Sequence, residues 1–333
     1  MAGPTPENPL TPQPAAEVSD EPVAKQASVR YPLVDLCRLL FAFGIIVFHE
    51  IDLGDDVREK VGYIGLFGFV LMLSMMAGKS QTPFSKPYLV NRLRRLLMPW
   101  GVWFGIYLIA ELGKGLMTGG VHVDVAQPGF WLAGPSIHLW FLPFAFVVSI
   151  LIRYFETTLP ESTRVTRSIL LSALGLSLIP LVWRYSQSVS PWYEPTHQWV
   201  TVLPSVLFGL AMTGLIKPPA KSSLSYFLML GPGLIGAWVL WWATGQGLGW
   251  LNAWAITIVA VSLLWKTRLA TPTITLLAST ALGVYLVAPL FTSVLNEAGV
   301  LVAYPWAKVM VVLLLSMVVT VVLLKSRLKW LVS

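Results

Sequence analysis

Apolar stretches of bilayer-spanning length follow one another along this 333-residue chain, broken only at charge clusters and at Pro or Gly. A hydrocarbon core about 30 Å thick asks for about 20 apolar residues per helical crossing, and a soluble domain has no use for such a succession. With 56% hydrophobic and 12% charged residues and a mean hydropathy of +0.70, the chain is expected to be all-α, a polytopic bundle of about ten transmembrane helices. These run from Leu33 to Ile51, Val61 to Gly78, Leu96 to Leu112, His138 to Tyr154, Ser168 to Trp183, Trp199 to Ile216, Leu224 to Ala243, Gly249 to Trp265, Ile274 to Leu295 and Pro305 to Leu324.

Basic residues orient such a bundle, because short cytoplasmic loops are enriched in Lys and Arg. Lys79, Lys86, Arg92, Arg94 and Arg95 share one connection, and further basic groups occupy alternate ones as far as Lys325, Arg327 and Lys329. All fall on one side if both termini are cytoplasmic, the arrangement expected for a plasma membrane, or bacterial inner membrane, protein. The net charge of +7 is then topological, and no nucleic-acid partner is expected, since no soluble basic face exists to bind one. Residues 1–28, rich in Pro, Ala, Glu and Thr, are expected to form a disordered cytoplasmic tail, with the transmembrane domain over 29–333. Cys37 is the single cysteine, which excludes an intramolecular disulfide and a multi-cysteine metal site. No metal and no bound cofactor are expected.

Two ionisable residues break the rule that spanning segments stay apolar. Arg38 and His49 share the first stretch, and at about 100° per residue eleven steps return to within roughly 20° of the same face, about 16 Å along the axis. Groups of this kind are expensive inside a membrane and mark functional sites by default. A positioned imidazole can take the proton of a weakly nucleophilic hydroxyl, which makes His49 the candidate base. Asp35 stands three residues before Arg38, a spacing at which the two can pair. Glu50 points about 100° away from His49 and reads as an outer-rim charge.

Asp35-Leu-Cys-Arg38 with His49, then Asn91-Arg92-Leu-Arg94-Arg95-Leu-Leu-Met-Pro99, then His138-Leu-Trp140-Phe-Leu-Pro143, resemble in order and helix position the acyltransferase 3 family of integral-membrane acyltransferases. The similarity spans the chain from about Arg30 to its C-terminus. It implies a membrane O-acyltransferase moving an acyl group, most often acetyl from acetyl-CoA as co-substrate, to a hydroxyl of an extracytoplasmic or lipid-linked glycan. In that family an Arg or Lys, ten residues and a His form the activity motif, matched by Arg38 and His49, and an Arg-x-x-Arg at the cytoplasmic mouth is matched by Arg92 and Arg95. Guanidinium groups pair bidentately with phosphate, so Arg38, Arg92 and Arg95 are candidates to bind the acyl donor, with Asp35 orienting Arg38. The positive-inside rule alone would also place the Arg92 cluster, and anionic membrane lipids are partners it could hold.

His138 and Trp140 open the fourth helix on the acceptor side, where an indole can stack on a sugar or merely anchor the interface. Two positions depart from the family: Ser74-Met75 replaces a Ser-Gly pair, and Ala288 stands where Tyr-Leu-x-His-Pro would place a histidine, so no proton transfer is expected from position 288. Direct transfer and a route through an acyl-enzyme are both open. The competing classes are a membrane transporter, in which Arg38 and His49 line a substrate or proton path, and a non-catalytic partner in polysaccharide export. The absence of a visible internal repeat and the scarcity of acidic residues at mid-bilayer depth weigh against a transporter.

Overall fold

The apolar stretches among the described residues fold as helices. A computed structural model describes residues 32–51, 55–80, 82–119, 125, 127–188, 195–216 and 271–332, with the side chains of 32–35, 55–60, 118, 183, 186–188 and 214–216 left aside. No strand occurs among the described residues. The elements are α1 (Pro32–Glu50), α2 (Asp55–Lys79), α3 (Lys86–Arg92), a π-helical segment (Leu93–Leu97) continuing into α4 (Met98–Thr118), and α5 (Phe130–Ala133). A 3₁₀ turn (Ile137–Trp140) then leads into α6 (Phe141–Thr158), α7 (Arg164–Ser188), α8 (Thr196–Thr201), α9 (Leu203–Ile216), α10 (Pro272–Ser279), α11 (Ala281–Glu297) and α12 (Pro305–Lys325).

Among the described residues five helices are long and apolar enough to cross a membrane: Val61–Lys79, Lys86–Met117, Ile137–Thr158, Glu161–Val182 and Pro305–Lys325. A sixth crossing results if α10 and α11, bent by 53° at their junction, form one broken span. The expected helices at 224–243 and 249–265, and the tail 1–28, lie outside the described residues, so the expected total of ten is not counted here.

Three boundaries differ from the hydropathy reading. The helix expected from Leu96 begins ten residues earlier, at Lys86, because Ser85 caps it by accepting the Tyr88 N–H at 3.4 Å and Pro87 suits its first turn. Charges at Arg92, Arg94 and Arg95 read as a loop on a hydropathy scale, yet they ride on helix. The stretch from Ile274 starts at Pro272, where Thr271 caps the first turn, and breaks after Ser279. The stretch from Trp199 divides at Val202 into α8 and α9.

Helices in a bilayer gain from close contact more than from excluding water, and small residues mark the tightest seams. A Cβ on Gly65 of α2 would sit 2.6 Å from the Phe41 carbonyl oxygen of α1, and one on Gly209 of α9 would sit 2.3 Å from the Leu71 carbonyl oxygen. These two glycines let α2 press against α1 on one side and α9 on the other. The bulky fully buried side chains Phe67, Phe69, Leu71 and Met72 then fill the centre from α2, with Phe144, Phe208 and Leu286 from its neighbours.

Side-chain pairs identify the two ends of the bundle. At one end Lys308 meets Glu50 at 2.5 Å and Lys114 meets Glu297 at 2.6 Å, so α1, α4 and α11 finish there and α12 begins there. At the other, Tyr88 donates to the Ser149 carbonyl at 3.1 Å, Trp103 Nε1 to the Leu331 carbonyl at 3.1 Å, and Arg153 to the Ser80 carbonyl. The basic residues Arg92, Arg94, Arg95, Arg153 and Arg167 all belong to this second end, with Arg167 on Glu156 at 3.5 Å. Among the described residues these basic groups therefore share one end of the bundle.

Candidate active site

Three walls enclose a cavity of about 200 Å3 at the first end of the bundle. From α1 it takes Ala42, Ile45, Ile46 and His49, and from α11 Tyr285, Ala288, Pro289 and Thr292. Both sets follow the same spacing of three, four and seven residues, which is one face of an α-helix. The third wall is Ser136, Ile137 and His138, just ahead of α6. The lining is largely apolar but carries two imidazoles, of His49 and His138, and three hydroxyls, of Ser136, Tyr285 and Thr292.

His49 ends α1 as an exposed residue, with the Phe48 ring edge-on at 5.2 Å. His49, the candidate base, thus lies on the wall of this cavity. His138 is the opposite case, only 6% exposed. Its Nδ1 lies 2.7 Å from Ser136 Oγ, and its Nε2 is buried with no hydrogen-bond partner. Tyr285 donates to the His138 carbonyl at 2.6 Å, while the rings of Tyr107 and Tyr285 present edges to the imidazole at 4.9 and 5.6 Å.

Pro289 lies inside α11 and removes the N–H that would reach the Tyr285 carbonyl. The Tyr107 hydroxyl donates to the adjacent Leu286 carbonyl at 2.7 Å. Tyr107 and Ser136 went unmarked in the sequence, and Tyr285 was noted only as the first residue of the Tyr-Leu-Val-Ala-Pro run that ends at Pro289.

Arg38 lies one layer below. Its guanidinium sits over the Phe69 ring, 5.6 Å from the centroid, a cation–π contact that eases a charge at this depth. Phe69 stacks in turn on Tyr285 at 5.8 Å and meets Phe141 edge-on, so aromatic rings join Arg38 to the imidazole pocket. Asp35 is one turn earlier on α1, among the residues whose side chains lie outside those described, so the expected orienting pair with Arg38 lies outside them too.

Arg92 and Arg95 are at the opposite end from His49. Arg92 Nε donates to the Tyr88 hydroxyl at 3.2 Å, and its guanidinium lies 5.2 Å from that ring's centroid. Tyr88 is buried and anchored on Ser149, so Arg92 is held on a fixed post, whereas Arg94 and Arg95 in the π segment are exposed. Buried Arg153, 6% exposed, joins this end, and nothing in the sequence pattern singled it out.

Two expectations need correction. Trp140 does not face an acceptor: it is 4% exposed, its ring packs edge-on against Phe141 and Phe144, and it is absent from the cavity wall. The 3₁₀ turn before α6 aims His138 at the cavity and rotates Trp140 into the core. Glu50 is not a rim charge either, since its side chain is wholly buried against Lys308, which also donates to Asn296 Oδ1. This cluster ties α1, α11 and α12 together beside His49.

Removing one partner of a buried ion pair leaves an uncompensated charge, at a cost of about 3–5 kcal/mol. Lys308→Met is therefore expected to lower the unfolding temperature of the detergent-solubilised protein markedly, and adding Glu50→Gln to recover most of the loss. Equal melting of Lys308→Met and wild type would show that the pair carries no such weight.

No curated protein and no solved structure matches the chain. A family model does, that of the acyltransferase 3 family, described as an acyltransferase domain, and the match runs over residues 32–325, nearly the whole helical bundle with both the imidazole cavity and the arginine-bearing end. On that match the chain belongs to the acyltransferase 3 family and is an acyltransferase.

Proposed function

We propose that the chain is an O-acyltransferase of the plasma membrane, taking acetyl or another acyl group from acyl-CoA on the cytoplasmic side and delivering it to a glycan or lipid-linked sugar on the other. The observation that carries this reading is the separation of the two sets of polar residues. His49 lies in a cavity at one end of the bundle, and Arg92 and Arg95 lie at the other end with Arg94, Arg153 and Arg167. The positive-inside rule makes the arginine end cytoplasmic, where coenzyme A is found. Its phosphates meet Arg92 and Arg95, Arg38 receives the extended arm further in, and the thioester reaches the cavity. His49 then takes the proton of the acceptor hydroxyl as the oxygen attacks the acyl carbon, so that the thiolate leaves without a free alkoxide having formed. The cavity's Ser136, His138 and Thr292 supply hydrogen-bonding groups to orient a sugar hydroxyl.

Orientation is tested by thiol labelling of intact cells in a Cys37→Ala background. A cysteine at Val302, exposed at the His49 end, is expected to react with an impermeant maleimide, and one at Thr82 to be spared. Reversed labelling would place the arginines outside and end the donor assignment.

His49→Ala is expected to reduce incorporation of labelled acetyl from acetyl-CoA into the membrane glycan fraction on the order of 10²-fold or more, with insertion and expression unchanged. Retained incorporation would remove His49 from the chemistry. Donor binding is separated from topology by the double variant Arg92→Lys, Arg95→Lys, which keeps the loop charge but loses the planar fork that grips phosphate. A raised KM for acetyl-CoA with unaltered topology is expected; an unchanged KM would return the cluster to membrane anchoring.

A further inference from the structure

Ser136 occupies the N-cap position of the 3₁₀ turn that carries His138, with extended backbone at φ −123° and ψ 121°. A serine there ordinarily turns its oxygen back to accept a main-chain N–H. This one makes no cap bond. Its hydroxyl is instead 2.7 Å from His138 Nδ1, and both residues line the cavity that holds His49. Among the described residues this is the only hydrogen bond of the Ser136 side chain, and in the neutral imidazole tautomer that carries its proton on Nε2 the hydroxyl donates to Nδ1. The ring cannot swing away, since the Tyr285 hydroxyl holds the His138 carbonyl and two tyrosine rings flank the imidazole. A serine hydroxyl within hydrogen-bond reach of a held imidazole nitrogen, on the wall of a cavity that also holds a second imidazole, has the geometry of an activated nucleophile.

We propose that Ser136, with His138 as its base, carries the acyl group as a serine ester between donor and acceptor. The proposal rests on the acyl-CoA reading above and adds a covalent stage to it. In the first half, Ser136 Oγ bonds to the thioester carbonyl carbon while its proton passes to His138 Nδ1. The carbon–sulfur bond then breaks, its electron pair leaves with sulfur, and the thiolate takes the proton from His138 to depart as free coenzyme A thiol. In the second half, the acceptor oxygen bonds to the ester carbon and its proton passes to His49. The bond to Ser136 Oγ breaks, and the serine oxygen recovers a proton from His49. The two imidazoles thereby serve successive halves, which accounts for two of them in one small cavity.

The test uses the purified full-length protein and acetyl-CoA labelled in its acetyl group. Coenzyme A release and transfer to the membrane glycan fraction by the wild type are measured first, so that failure of the acyl-CoA reading is seen by itself; a wild type that turns over no acetyl-CoA overturns that reading and this proposal with it. Given turnover, His49→Ala is expected to accumulate about one acetyl group per chain, mapped by peptide mass spectrometry to Ser136 and not discharged by the glycan fraction. Ser136→Ala should carry no label and lose transfer, whereas Ser136→Cys should regain label as a thioester. His49→Ala without acetyl on Ser136, or Ser136→Ala transferring at the wild-type rate, would overturn the proposal in favour of direct transfer.

Discussion

Tyr107 and Tyr285 direct their hydroxyls at main-chain carbonyls, one on α11 beside Pro289 and one at the mouth of α6. In water such bonds are exchangeable for solvent and contribute about 1 kcal/mol each. Inside a bilayer there is no water to exchange with, and an orphaned carbonyl costs several kcal/mol. The cavity depends on that difference. Its walls come from α1, α11 and the turn before α6, elements far apart in sequence, and the two tyrosines fix α11 to α4 and to the α6 mouth.

Charge is handled by the same logic at three depths. Arg38, within the bundle, is eased by the Phe69 face. Glu50 and Lys308, near one end, neutralise each other with Asn296 beside them. Arg153, near the other, is satisfied in part by the Ser80 carbonyl, with its Nε left unpartnered. Buried pairs of this sort add little net stability compared with apolar packing, but they penalise misplacement heavily. They fix register between helices whose apolar surfaces would otherwise slide against one another with little penalty.

How much of this was legible in the sequence follows from what each signal measures. Hydropathy reports transfer free energy averaged over a window, so it marked the apolar helices that the described residues show, but it missed the ten-residue extension that α3 adds ahead of α4, which the Ser85 cap starts, and the break after Ser279. The period of the helix placed Arg38 and His49 on one face, and the structure finds the His49 face in a cavity with Ala42, Ile45 and Ile46. Periodicity could not tell that Trp140 turns inward while His138, two residues earlier, turns to the cavity, because a 3₁₀ turn does not follow the α-helical count. Nor could it find Ser136, Tyr107 or Glu50's partner: those contacts join residues dozens to hundreds of positions apart, or depend on a rotamer, and one chain read alone carries no mark of them.

The π segment at Leu93–Leu97 sets a boundary inside what is otherwise one 32-residue helix. Its hydrogen bonds skip one residue further than α-helical ones, so the helix above it and the helix below it are out of phase. Arg92 lies below, moored to Tyr88; Arg94 and Arg95 lie within the widened turn. Ala-type helix formers could lengthen or shorten α3 or α4 only by rotating everything beyond the change, but a residue gained or lost within the π segment is taken up locally. The arginine cluster is consequently the one stretch of this span where the chain can change length while the membrane-embedded face of α4, with Trp103 and Tyr107, keeps its bearing on the core.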